Sequence, residues 1–260
     1  MVQSPQITTD SLAAWYDSRE YQTARDGKEG AYLDYLTEEK QRQREAVARF
    51  ERDLAPRLST PARVLEVGCA TGSLLAVIRN AGHEVQGIEL SATFAESARQ
   101  LNDLDILVTD FAQYQNEPAC FDLIIMLGTL SNLPEFARDL ALVRKLLAAG
   151  GLFYFNVPVV SSLMAKLYGS SYWMYAPSVS NFLSLEGMNR ALANAGLRVV
   201  KQRTDRQRPT IGKLLGHGKL HRLFPWFRRM GLSQRQFPTS LPIPGVVVVW
   251  ATTEESSWSN

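Results

Sequence analysis

The sequence predicts an α/β fold in which a parallel sheet is covered by helices on both faces. Two observations carry that prediction. Short apolar, β-prone runs alternate with helical segments from Ala62 to about Arg203, the pattern of a doubly wound sheet. The run Val64-Leu65-Glu66-Val67 also breaks into a turn of small residues, Gly68-Cys69-Ala70-Thr71-Gly72, before a helical stretch opens at Ser73. Apolar residues on both faces of such a strand mean burial on both sides. The small residues after it let a ligand approach the backbone. The free N–H groups of the helix start point at that ligand.

The predicted strands are 63–67, 84–89, 105–109, 121–127, 152–157, 197–203 and 245–252. Residues 1–60 read as a helical cap, with a short helix beginning over Ser11–Tyr16 and a longer one over Tyr32–Leu54. Ala46, Val47, Phe50 and Leu54 recur at helical spacing on one face of the longer helix. A helix over Pro134–Ala148 is expected to stop at Gly150-Gly151. One domain is the expected organisation: the cap at 1–60, a ligand-binding core at 61–204, a basic helical insert at 205–244 and a final strand at 245–254.

Composition limits the class. Hydrophobic residues make up 45% and charged residues 21% of 260, ordinary for a soluble chain with a sizeable core. Met1–Asp10 has no signal-peptide pattern, and no apolar run approaches a membrane span. The two cysteines, Cys69 and Cys120, have no metal-ligand spacing, so no metal is expected and a cytoplasmic setting is the default. Lys201 to Arg235 holds ten basic residues and one acid, Asp205. That is a net of +9 in a chain of +2, so the remainder carries −7. Leucines, Phe224, Trp226 and Phe227 interleave with these charges. A solvated lid, a surface for an anionic acceptor or peripheral membrane contact, and a nucleic-acid footprint all fit.

The turn after the first strand fails the dinucleotide fingerprint, since its three glycine positions are Gly68, Ala70 and Ser73. It resembles motif I of the class I S-adenosylmethionine (SAM) methyltransferases, an acid followed by alternating glycines, here Glu66-Val67-Gly68-Cys69-Ala70-Thr71-Gly72. Ala70 replaces the middle glycine, which an alanine can do if its φ is negative. An acid there suits a cofactor bearing an ammonium and a sulfonium, and would repel a pyrophosphate. Glu89, ending the second strand, lies 17 residues beyond Gly72, and Asp110-Phe111 follows the third. Phe121–Leu127 resembles motif IV.

The resemblance implies a Rossmann-like seven-stranded sheet, six strands parallel and the last antiparallel beside the sixth. It implies SAM as cofactor and S-adenosyl-L-homocysteine as product. Glu66 would meet the methionine amino group, with Gly68, Cys69, Ala70 and Gly72 giving close backbone approach. Glu89 and Leu90 would flank the ribose, Asp110 and Phe111 the adenine, and Leu127 and Gly128 the methionine end. Tyr16, Tyr32, Asn132, Trp173 and Tyr175 would face the acceptor. The Trp-containing loop Ser170–Pro177, then Phe182–Glu186 and Ala193–Leu197, resemble a bacterial subgroup found in sugar, polysaccharide and secondary-metabolite pathways. A small-molecule or glycan-type acceptor, methylated on O or N, is therefore expected. A non-catalytic SAM-binding protein and an RNA methyltransferase are the alternatives.

Two departures bear on the chemistry. Relatives commonly carry Glu-His after the fourth strand, where this chain has Ser131-Asn132, and Pro-x-His where it has Pro177-Ser178-Val179. No catalytic base can be named from the sequence. An acceptor already nucleophilic at neutral pH is favoured, because only a weakly acidic acceptor needs a base.

Overall fold

The computed structural model describes residues 8–18, 21, 39–162, 165–166, 179–207, 226, 229–231 and 241–253, with only the backbone of 241–244. Seven strands form one sheet in the order β3-β2-β1-β4-β5-β7-β6. They are β1 Arg63–Val67, β2 Glu84–Glu89, β3 Ile106–Val108, β4 Phe121–Leu127, β5 Leu147–Pro158, β6 Leu197–Gln207 and β7 Leu241–Thr253. β1 pairs in parallel with β2 and β4, β2 with β3, and β4 with β5. β7 enters between β5 and β6 and runs antiparallel to both. The predicted sheet is the observed one.

Each face of the sheet has its own apolar layer. On one side α2 (Glu39–Arg49), α3 (Ser73–Asn80) and α4 (Ala92–Asn102) pack Phe50, Leu54, Leu75, Ile78 and Ala98 over Val64, Leu123, Tyr154 and Trp250. On the other, α5 (Phe136–Leu146) and α6 (Leu185–Asn194) bring Leu140, Val143, Met188 and Leu192 against Leu65, Ile124, Phe153 and Phe155. That two-sided cover is why β1 and β4 are rich in apolar residues on both faces, with Val64 and Leu65 in β1 and Leu123 to Leu127 in β4. α1, Thr9–Asp17, lies outside both layers.

Three expectations need correction. The helix expected to end at Ala148 stops at Leu146, and β5 begins at Leu147. Leu147 is buried opposite Phe121, and the register shifts before Leu123 meets Leu152, with Gly150 at φ +73°. The glycine pair therefore forms a bulge in the strand. On α2, Ala46, Phe50 and Leu54 are buried but Val47 is 41% exposed. Below Arg49 the helix widens into a π turn over Phe50–Leu54, which changes which residues share the buried face. The strands expected over 197–203 and 245–252 are longer, β6 running on to Gln207 and β7 starting at Leu241; within β6, Lys201 and Arg203 set their charges 5.5 and 5.3 Å from the Trp250 ring centroid.

A Cβ on Gly87 of β2 would lie 2.5 Å from Ile106 Cδ1, 2.7 Å from Leu75 Cδ1 and 2.9 Å from Cys69 Sγ. The missing side chain thus lets α3 and the turn after β1 sit down on the sheet. Gly87→Ala should cost about 1–3 kcal/mol of unfolding free energy by overpacking, read as a lower denaturant midpoint at unchanged slope.

Candidate active site at the carboxyl ends of the parallel strands

The turn after β1 is held in shape by alternating left-handed backbone. Gly68, Ala70 and Gly72 have φ of +70°, +49° and +71°. Ala70 therefore does not take the negative φ on which its replacement of glycine was rationalised. The turn needs the left-handed region at three alternate residues, and the alanine bears that strain. Gly68 and Cys69 donate their N–H groups to the Ile88 carbonyl at 2.8 and 3.3 Å, and Ala70 N–H donates to Glu89 Oε2 at 2.9 Å. A Cβ on Gly68 would strike Thr129 Oγ1 at 2.4 Å and one on Gly72 would strike Leu104 Cδ1 at 2.5 Å.

Glu39, from α2, braces the same turn from behind. It accepts from Thr71 Oγ1 at 2.8 Å, Ser73 Oγ at 2.7 Å, Asn102 Nδ2 at 3.0 Å and Arg42 Nη2 at 2.6 Å. Burial opposes its charge, but the hydrogen bonds and Arg42 outweigh burial and hold its carboxyl below the usual range. A carboxylate at the start of α3 also complements the helix dipole.

Glu66 and Glu89 stand at neighbouring strand tips, both buried. Glu89 Oε1 accepts the N–H groups of Leu90 and Ser91 at 2.8 and 3.0 Å. Glu66 Oε2 has no hydrogen-bond partner among the described residues. Burial, with a smaller contribution from Glu89, pushes the Glu66 carboxyl up to about 8, against the pull of Arg49. Burial likewise raises Glu89 in spite of its three N–H donors. Cys69 is buried and its thiol is pushed up by burial and by Glu89 and Glu66, as befits a packing residue and not a reactive thiolate.

The other predicted residues divide clearly. Asp110 Oδ1 caps the turn Phe111–Gln113 through Ala112 N–H at 3.1 Å, and Oδ2 accepts from Thr9 Oγ1 at 3.0 Å. Phe111 is 2% exposed and belongs to the same core cluster as Ile88 and Met126. Gly128 N–H donates to Asn156 Oδ1 at 2.6 Å, and a Cβ placed there would meet nothing within 4 Å. Asn132 Nδ2 donates to the Tyr16 hydroxyl at 3.0 Å and to the Gly128 carbonyl at 3.1 Å, so these two residues are brought together beside Gly128. Leu127 ends β4 next to them, half-buried. Tyr32, Trp173, Tyr175 and most of the basic segment lie outside the described residues.

Thr9, Asp17, Glu39 and Asn156 escaped the sequence reading. Asp17 accepts from Ser91 Oγ and, at 3.3 Å, from Thr93 N–H. With Thr9 on Asp110 and Tyr16 on Asn132, α1 is pinned to the loops after β2, β3 and β4. Asn156 did leave a signal, being the one polar residue in the apolar run Phe153–Val159. Beyond Asp110 lies a cavity of about 240 Å³ bounded by Thr9, Pro134, Glu135 and Asp139, among others. Burial, then Asp110 and Glu135, pushes the Asp139 carboxyl up to about 7. Among the described residues no group of three or more His, Cys, Asp or Glu is placed to hold a metal, and no helix is long and apolar enough to cross a membrane.

The arrangement fits a ligand that brings a positive charge. A buried Glu66 carboxyl oxygen without a partner among the described residues, at the start of a close-approach turn, is matched by an ammonium group and opposed by a phosphate. Two stability predictions follow from this geometry. Ala70→Gly should raise stability by about 0.5 kcal/mol, the relief of left-handed strain less the added chain entropy, visible as a small rise in melting temperature. Glu66 has a folded value above its unfolded one, so its protonated form favours folding. Ligand-free stability should therefore fall as pH rises from about 4.5 through about 8. Glu66→Gln should melt alongside the parent at pH 5 and above it at pH 9; parallel curves would refute the assignment.

A family model described as a methyltransferase domain matches residues 39–202. A curated relative, the ubiquinone biosynthesis O-methyltransferase of Actinobacillus pleuropneumoniae serotype 5b (strain L20), is 28% identical over 122 residues, covering 42% of this chain and 52% of its own. The chain thus spans about half the length of the curated relatives it matches. Among solved structures, a SAM-dependent methyltransferase from Archaeoglobus fulgidus aligns with a TM-score of 0.59 at 17% identity, covering 84% of this chain and 99% of that one. Magnesium protoporphyrin IX methyltransferase from Synechocystis PCC 6803, with bound SAH, aligns at 0.58 and 15%, covering 95% and 99%. These structures share the fold, and the family match extends over more than half of the chain, from the helix that braces the glycine turn to the sixth strand: this protein belongs to the methyltransferase-domain family.

Proposed function

We propose that this chain is a SAM-dependent methyltransferase acting on a small-molecule acceptor at O or N. The observation that carries the reading is the buried Glu66 carboxylate, whose Oε2 lacks a donor among the described residues, at the mouth of a turn built for close backbone approach. Glu66 would receive the amino group of the cofactor's methionine end, near Gly128. Gly68, Cys69, Ala70 and Gly72 would give it passage along the backbone. Glu89 and Leu90 would flank the ribose, and Asp110 the adenine edge, with Phe111 underlying it from the core. When bound, SAM supplies a methyl group made electrophilic by its sulfonium.

The chain's own part in such a displacement is positioning and exclusion of water. α1, fixed at Thr9, Tyr16 and Asp17, would roof the adenosine side. Tyr16 and Asn132 would border the acceptor, with Tyr32, Trp173 and Tyr175 as further candidates for that pocket. The position next to Gly128 holds a carboxamide, Asn132, bound to Tyr16 and the Gly128 carbonyl, and a carboxamide takes no proton. An acceptor that enters as a phenolate, carboxylate or free amine suits that site. The relative named for ubiquinone biosynthesis O-methylation supports a small-molecule acceptor. A glycan-type or secondary-metabolite acceptor is the narrower form of the proposal, and an anionic or lipid-linked one would be met by Lys201–Arg235. The whole chain would then act as one methyltransferase unit.

Calorimetry with SAM and SAH tests the cofactor half. Glu89→Gln and Glu66→Gln should each weaken SAM by about 1–3 kcal/mol, the scale of a hydrogen bond to a charged group, and unchanged affinity in Glu89→Gln would remove it from the ribose. Transfer of labelled methyl from SAM into fractionated extract of the source cell tests the rest. Label in small-molecule or lipid-linked fractions is expected. Label in RNA alone, or binding without any transfer, would overturn the acceptor assignment.

A further inference from the structure

Arg49 closes α2 with its guanidinium enclosed in the protein. Nη1 donates to the Tyr154 hydroxyl at 2.8 Å, and Nη2 donates to Asp205 Oδ1 and Oδ2 at 3.2 and 3.3 Å. Asp205, fully buried in β6, also accepts from Asn156 Nδ2 at 2.8 Å. Asn156 Oδ1 in turn accepts from the Gly128 N–H at 2.6 Å. One unbroken hydrogen-bonded path therefore runs from the N-terminal helix, across β6 and β5, to the residue just past β4.

This path passes through the apolar layer that holds Leu152, Val248 and Trp250. Buried ion pairs are commonly replaceable by apolar groups without loss of stability, so stability is a weak reason for one here. The neighbouring anion Asp53 has its own cations, Arg52 at 2.9 Å and Arg203 at 2.7 Å. Arg49 is paired with Asp205 at 3.2 Å, and its charge also acts on Glu66. Of the groups acting on Glu66, Arg49 from α2 favours its charge and Glu89 from β2 opposes it, while the Cys69 thiol is itself raised by Glu66. One end of the path thus carries the guanidinium whose charge acts on Glu66, and the other ends on the Gly128 amide.

We propose that Arg49, Asp205 and Asn156 are positioning residues for the cofactor's methionine end, fixing the Gly128 amide and setting a positive charge behind Glu66. This rests on the cofactor reading above. The test is SAM and SAH affinity by calorimetry from pH 6 to 9.5, with melting curves to establish that each variant is folded. The wild-type SAM profile should have an acid limb where Glu66 takes up a proton. Arg49→Gln should move that limb up by about one pH unit and weaken SAM about tenfold at pH 7, and Arg49→Lys should restore the limb. Asn156→Ala should raise the Kd for SAM about tenfold with the limb unmoved, because the charge stays. A folded Arg49→Gln whose limb does not move overturns the proposal. Should Arg49→Gln not fold, an unchanged Kd in Asn156→Ala overturns it. A wild-type protein that binds neither SAM nor SAH would instead sink the cofactor reading.

Discussion

The site depends on a five-residue turn that must enter the left-handed region at every second residue. That constraint decides side-chain size at 68, 70 and 72, and it places three N–H groups against the tip of β2, two on the Ile88 carbonyl and one on Glu89. It also needs support from outside, because such a turn has few bonds of its own. Glu39 supplies that support from α2, tying Thr71, Ser73 and Asn102 into one buried cluster. Helix α2 is therefore as much a part of the site as the strands are.

Electrostatics at the strand tips follow a consistent sign. Glu66, Glu89, Asp110 and Asp17 converge there, and only Glu66 keeps a buried oxygen without a donor among the described residues. The others are consumed in holding loops: Glu89 the turn after β1, Asp110 its own 3₁₀ turn and α1, Asp17 the start of α4. Glu89, Asp110 and Asp17 are hydrogen-bonded to the loops they hold and Glu66 Oε2 is not, a distinction that hydrogen-bond accounting makes visible.

The sheet was legible because strands covered on both faces place apolar residues at adjacent positions, and because the glycine turn and the acids at the strand ends keep fixed offsets. Ala70 shows the limit of that reading: residue type at one position cannot reveal φ, which pairing with Ile88 and Glu89 imposes. Phe111 shows another, since an aromatic next to an acid looks the same in sequence whether its ring faces ligand or core. The bracing residues were hidden for a different reason. Glu39 lies 27 positions before Glu66 in a helix dense with charge, and nothing local separates a brace from a solvated face. Asp205 was visible only as the lone acid in a basic run, and its side-chain partners come from two other elements, Arg49 at the end of α2 and Asn156 in β5.

The insertion of β7 between β5 and β6 has a consequence for how the molecule is made. β6 shares no ladder with β5, so its only described neighbour in the sheet is a strand that follows it by more than thirty residues. As the chain leaves the ribosome, the parallel half can assemble first, while β6 waits with its edge unsatisfied. Asp205 and Arg203 wait with it, and so do their partners, Arg49 at the end of α2 and Asp53 in the π turn that follows. The polar path behind the site can close only after β7 docks, so a nascent chain would acquire its sheet before it acquires a finished pocket.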